Sequence, residues 1–128
     1  MTKWETSELK KIGSSDELKL TPLKENGTFF KPVIIWVVRV DEDLYVRSYK
    51  GKKGSWYQHV QVNHKGRISA GGITKDVNFV NISEDDQIMN DNIDKEYGSK
   101  YKKYGKTYVD PMQSSESRAT TIKLDPVK

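Results

Sequence analysis

Residues Val33 to Val40, opened by Pro32, constrain this chain more than any other stretch. Seven of the eight are apolar, with Arg39 the exception, and most are β-branched, a composition that favours a strand over a helix. A sheet with one wet face would alternate apolar and polar residues. The lack of alternation implies a strand covered on both faces, as in a barrel wall with helices packed outside it. The expectation is one central barrel strand over 33–40, antiparallel to both neighbours and buried on both sides.

The remaining elements fit around such a barrel. Trp4, Leu9 and Ile12 suggest a short helix stopped at Gly13. Glu17 to Thr21 alternates as a strand, and Asn26-Gly27 after it signals a type I′ hairpin turn. Leu44 to Ser48 reads as a partner strand, with Leu44, Val46 and Ser48 on one face and Tyr45 and Arg47 on the other. Ser55 reads as the N-cap of a short helix through Trp56 and Val60. Arg67 to Ala70, a Gly71-Gly72 turn and Ile73 to Ile82 form a strand pair. Ser83 to Asp86 resembles a helix start. From it Ile88, Met89, Ile93 and Tyr97 run at helical spacing, and Tyr101, Tyr104 and Tyr108 extend the stripe. A loop over 108–116 and a last strand over 118–124 complete the chain. The expected fold is a mainly β, α+β single domain over 1–128: a split antiparallel β-barrel of about six strands with about three peripheral helices.

Composition removes several chemistries. There is no Cys, so thiolate metal sites and cysteine nucleophiles are out. The two histidines, His59 and His64, are five apart and not the four of a helical metal pair, and no carboxylate falls in register with them. The acids at 41–43 and 84–86 suit a turn and a helix start better than acid–base catalysis. No P-loop, G-x-G-x-x-G or G-x-S-x-G occurs. No leader or membrane-spanning run is visible, so the cytoplasm is the expected compartment.

The stretch with most chemical content is Arg47 to Tyr57. Arg47, Lys50, Lys52 and Lys53 fall within seven positions at a strand end, with Gly51 and Gly54 among them and a helix start immediately after. Cations, close backbone approach and free helix N–H groups suit a phosphate. Trp56 and Tyr57 could pack on or support a planar ring. The candidate site is therefore Arg47, Ser48, Lys50 and Lys52 for the phosphate, with Trp56 and Tyr57 for the ring. The bland alternative is a solvated basic loop with Trp56 in the core. In either case the loop is expected at the surface, so replacing Arg47 or Lys50 should leave folding intact.

The order of these parts resembles the DUF2255 type of bacterial protein. The resemblance rests on Glu17 to Leu23, the Asn-Gly hairpin, 32–40, 43–48, 54–58 and 66–68, and it covers nearly the whole chain. More distantly the chain is similar to flavin-binding split barrels of the deazaflavin-dependent nitroreductase-like branch. Ser48-Tyr49-Lys50-Gly51 stands where that branch has a Ser-Lys-Gly-Gly type loop, and Trp56-Tyr57-Gln58-His59 where it has Trp-Tyr-x-Asn. The branch's Gly-Arg-Lys-Ser-Gly hairpin is matched only by Lys24 and Gly27, and His59 replaces its Asn. The resemblance implies a groove beside the barrel for FMN or a deazaflavin, a homodimer and a reductase activity.

Two other readings share this fold. One is a non-enzymatic ligand-binding or stress-related barrel without cofactor. The other is a nucleic-acid-binding barrel that uses Arg47 to Lys53 and the tyrosines. A net charge of only +4, with 18 acids spread along the chain, argues against nucleic acid.

Overall fold

The run from Val33 to Val40 forms two strands and not one. The computed structural model describes residues 3–127. In it β1 (Leu18–Pro22) pairs with β2 (Val33–Ile35), whereas β3 (Val38–Val40) pairs with β4 (Asp43–Val46), both antiparallel. With β5 (Lys65–Ala70), β6 (Ile73–Asn81) and β7 (Ile122–Pro126) they make one seven-stranded sheet in the order β2-β1-β5-β6-β7-β4-β3. The two halves of the apolar run thus lie at opposite edges. Trp36 and Val37 carry the chain from one edge to the other, so the sheet must curl until its edges meet. The expected central strand is corrected on this point, and so is its burial. Val37 and Val38 are fully buried, but Ile34 is 53% exposed.

Side chains from the segment after Ile93 satisfy the backbone at this break. The Val37 N–H donates to the Tyr101 hydroxyl at 3.0 Å, and the Val37 carbonyl accepts from Lys100 Nζ at 2.6 Å. Trp36 stacks on the Tyr101 ring at 3.9 Å and 6°. Without such partners a buried peptide group leaving a ladder would be a large cost.

Two apolar layers flank the sheet. Leu18, Leu20, Leu44, Val46, Ile68, Phe79, Ile122 and Leu124 fill one. Leu9 and Ile12 of α1 (Thr6–Gly13) and Val60 of α2 (Ser55–Asn63) join them. Val38, Val40 and Tyr45 lie in the other, under Ile93 and Tyr97 of α3 (Gln87–Lys100). β4 is therefore covered on both faces, and its alternation sends Leu44 and Val46 one way and Tyr45 the other.

Three local expectations need correction. The turn at Asn26-Gly27 is not type I′, because Gly27 alone has positive φ, at 90°. Lys24 N–H bonds Thr28 O at 2.7 Å and Gly27 N–H bonds Lys24 O at 3.0 Å, giving a three-residue loop with its left-handed residue last. The paired positive φ values occur instead at Gly71 and Gly72, 57° and 83°, between β5 and β6. The tyrosine stripe does not stay helical, since α3 ends at Lys100 and Gly105 turns the chain at φ 89°. Segment 108–116 is mostly helical turns, and α4 (Lys106–Val109) and α5 (Ser115–Arg118) take up part of what reads as loop and strand. No helix among the described residues is long and apolar enough to cross a membrane.

Candidate functional site

Because β2 has no partner on its outer side, its edge is left beside the β4–α2 connection. Between them lies a groove of about 800 Å³, within the usual range of ligand pockets. One wall is the segment 30–36. The other is Ser48 to Lys50, Gly54, Ser55, Trp56 and His59, and Tyr108 and Met112 border the rest. The wall is mostly apolar. Its ionisable side chains are lysine, arginine, histidine and tyrosine, and among the described residues no Asp or Glu lines it, although the chain holds 18 acids.

Helix α2 opens onto this groove. Its N-cap is Gly54 and not the expected Ser55, which is the first helical residue; glycine supplies no side-chain cap, so the first-turn N–H groups keep their donor capacity. Glycine is needed there for space: a Cβ would fall 2.4 Å from the Ser48 hydroxyl oxygen. Ser48 is 1% exposed, and its hydroxyl has no hydrogen-bond partner among the described residues. The groove face of α2 carries Ser55, Trp56 and His59 at helical spacing, while Tyr57 and Val60 turn into the core.

The six candidate residues separate. Ser48, Lys50 and Trp56 line the groove. Lys52 lies on a neighbouring cavity of about 420 Å³ with Gly51, Lys53, Glu84, Ser115 and Glu116, and Lys50 borders both. Tyr57 is 9% exposed and packs in the core, where burial raises the pKa of its hydroxyl and the charge of Glu84 adds to the shift.

Arg47 is the main correction. It reaches the groove wall, but its guanidinium is buried beneath α3. Nε donates to Thr121 Oγ1 at 2.8 Å, and Nη1 to Asp94 Oδ1 and to Met112 O at 2.9 Å. Nη2 donates to Asn90 O at 3.1 Å and to Asn90 Oδ1 at 3.0 Å. All five N–H donors are used, and none is left for a phosphate. The alternation that puts Tyr45 under α3 puts Arg47 there too.

The structure also brings in Phe30 and Lys31, which sequence reasoning passed over, beside His59 and Lys24, which it weighed only as a metal candidate and as a hairpin match. Lys31 lines the groove next to Phe30, whose ring lies parallel to that of His59 at 3.7 Å and 4°. Lys24 sits with Nζ 5.2 Å from the Phe30 ring. Their signal was present as Phe29-Phe30-Lys31 straight after the turn glycine, and as the i, i+3 spacing of Trp56 and His59.

Known structures share this architecture at low identity. HutZ, the heme storage protein from Vibrio cholerae, aligns with a TM-score of 0.65 and 13% identity over 100% of this chain and 92% of its own. A putative pyridoxamine 5′-phosphate oxidase from Listeria innocua gives 0.63 and 14%, covering 94% and 90%. An F420 reductase gives 0.52 and 14%, covering 94% and 93%. At such identities the likeness is one of fold, and the fold is the split β-barrel. No curated protein matches the chain by sequence. The family model for uncharacterised proteins conserved in bacteria, DUF2255, matches residues 8–124, and the chain belongs to that family.

Proposed function

We propose that this protein binds a phosphorylated planar-ring cofactor of the flavin class, FMN or a deazaflavin, and works with it as an oxidoreductase. The observation that carries the reading is the groove itself. It is of cofactor size, apolar along its walls, lined by cations without a single carboxylate, and open to an uncapped helix N-terminus. The parts fit the group. Lys50 and the first-turn N–H groups of α2 are the donors for a phosphate. The Ser48 hydroxyl adds a donor with no competing protein partner. Trp56 and the apolar segment 33–36 give a ring a dry surface. The names of the neighbouring structures, an F420 reductase and a pyridoxamine 5′-phosphate oxidase, support the same class.

When bound, such a cofactor supplies the hydride or electron chemistry, and the protein supplies binding, orientation and electrostatics. Here the lysines set the position of the anionic tail, and the apolar wall keeps water from the ring.

Fluorescence titration with FMN and with riboflavin tests the reading. FMN should bind more tightly than riboflavin. Lys50→Ala should weaken FMN binding about tenfold, the lower end of what a charge-assisted hydrogen bond is worth. Riboflavin affinity should stay the same. Absence of binding by both ligands would remove the flavin reading and leave a barrel that holds some other ligand.

A further inference from the structure

Among the described residues, His59 gives the fold the face of its ring and no contact through its nitrogens. Its twin, His64, caps α2 in the left-handed conformation, and His64 Nδ1 lies 3.3 Å from Phe79 O. His59 instead projects from the groove face of α2, half-buried, and its ring nitrogens have no hydrogen-bond partner among the described residues. Stacking on Phe30 fixes the plane of the imidazole and leaves its edge available. The Phe30 N–H in turn is bonded to Pro22 O at 2.9 Å, so the platform is tied to β1.

Among the described residues, the charged side chains that line the groove are all of one sign. Lys31 and Lys50 share the groove, and Lys24 lies against Phe30. The donors of Arg47 are spent inside the protein. No carboxylate lines the groove to welcome an imidazolium. An anion bound there would be the one partner that favours the protonated ring.

Building on the flavin-class reading, we propose that His59 is a proton-linked contact for an anionic ring ligand. Ligand binding and protonation of His59 then help each other by the same factor, as linkage requires. Affinity should rise as pH falls through the range where histidine gains its charge.

The test compares FMN binding at pH 5.5 and pH 8 for wild type, His59→Gln and His59→Phe, with riboflavin as the uncharged control. The phosphate of FMN also titrates in this range, but that contribution is common to all three proteins. Wild type should gain about five- to tenfold in FMN affinity over either variant on going to pH 5.5, and nothing for riboflavin. His59→Phe keeps a ring on Phe30, so it separates loss of the nitrogens from loss of packing. The imidazole C–H signals give a second reading, since the chain has only two histidines. The His59 titration midpoint should move to higher pH on adding FMN, and that of His64 should stay. Equal pH dependence in all three proteins, with FMN bound, overturns the role of His59 and leaves the flavin reading intact. If no protein binds FMN at either pH, both readings fall together.

Discussion

Asp94 closes the shell of acceptors around Arg47: the arginine side chain is fully buried, and the carboxylate that faces it is 22% exposed. The other oxygen of Asp94 takes a hydrogen bond from Arg118, so one carboxylate ties the end of β4 to α3 and α5. Thr121 and Asn90 complete the arrangement, and the Arg47 guanidinium lies 5.6 Å from the Tyr97 ring centre.

This makes Arg47 a stability residue. Arg47→Ala leaves Met112 O and the Asn90 side-chain oxygen without their donor and leaves Asp94 with Arg118 alone; removing one member of a buried pair costs up to about 3–5 kcal/mol, and the partial exposure of Asp94 puts this loss toward the lower end. Arg47→Lys should recover little, because an ammonium with three donors does not reproduce a planar fork of five. Urea unfolding of both variants checks this. A midpoint for Arg47→Ala equal to that of wild type would contradict the assignment.

The contact between Gly54 and Ser48 predicts a non-additive pair. Gly54→Ala places a methyl 2.4 Å from the Ser48 oxygen, so the helix start or the serine must shift. It should destabilise the protein by about 1–3 kcal/mol, the usual cost of overpacking. In the double variant with Ser48→Ala the nearest atom of residue 48 is its Cβ at 3.6 Å, an ordinary contact. The double variant should therefore be more stable than Gly54→Ala alone. Additive losses in a double-mutant cycle would show that the two residues do not press on each other.

Tyr101 and Tyr97 offer a matched comparison. Tyr101→Phe strands the buried Val37 N–H and removes the donor to Asp16 O, at 2.7 Å in the wild type. The loss should be about 1–3 kcal/mol, with faster hydrogen exchange at the Val37 amide. The Tyr97 hydroxyl is buried without a partner among the described residues, so Tyr97→Phe should be close to neutral. Equal losses for the two substitutions would mean that the hydroxyl of Tyr101 does not hold the strand break.

These residues also show what the sequence could and could not tell. The strands themselves were legible, because β-branched runs and turn glycines act locally. The break at Trp36-Val37 was not, since it depends on two edges of a sheet meeting, and an uninterrupted apolar run looks the same whether one strand or two use it. Arg47 was misassigned for a related reason. Alternation along β4 put it opposite Val46, but only the docking of α3 decides whether that face is wet or dry. A basic residue beside lysines and glycines reads as part of an anion site, and the Asn90, Asp94 and Thr121 that claim it are 43 to 74 positions away. The groove was half legible: Ser48, Lys50, Trp56 and His59 belong to one stretch of the chain, whereas Lys31 meets them through the curl of the sheet.

Lys50 and Lys52 are two residues apart and border the same neighbouring cavity, but only Lys50 also lines the groove. Lys50→Ala should lower FMN affinity as described above, and Lys52→Ala should change it less than twofold, as expected for an exposed charge without direct contact. Raising salt should weaken the wild type's FMN binding more than that of Lys50→Ala. Equal losses from the two substitutions would point to diffuse attraction by the basic loop in place of a defined contact.

Lys100 gives the fold a specific alkaline response. Its amine is half-buried where α3 ends and donates to Ser15 O and Val37 O, each at 2.6 Å. Burial lowers its pKa to about 8, partly offset by Asp16. In the unfolded chain the same amine stays protonated to about pH 10.4. Between about pH 8 and pH 10 the unfolded state therefore binds more protons than the folded state, and this residue makes stability rise with pH. Below pH 8 both states carry the charge and the contribution is flat. The limiting slope for one proton is about 1.4 kcal/mol per pH unit, and solvent screening of a half-buried amine brings it below that. Tyrosines oppose the trend near pH 10, because burial raises the pKa values of Tyr97 and Tyr101 in the folded state while unfolded tyrosines begin to ionise. Lys100→Met separates the two effects, as the tyrosines are common to both proteins. Urea unfolding of wild type and Lys100→Met at pH 7, 8, 9 and 9.75 should show the stability difference constant up to pH 8 and then moving in favour of wild type. Parallel curves across that range would show that the amine titrates as an ordinary surface lysine.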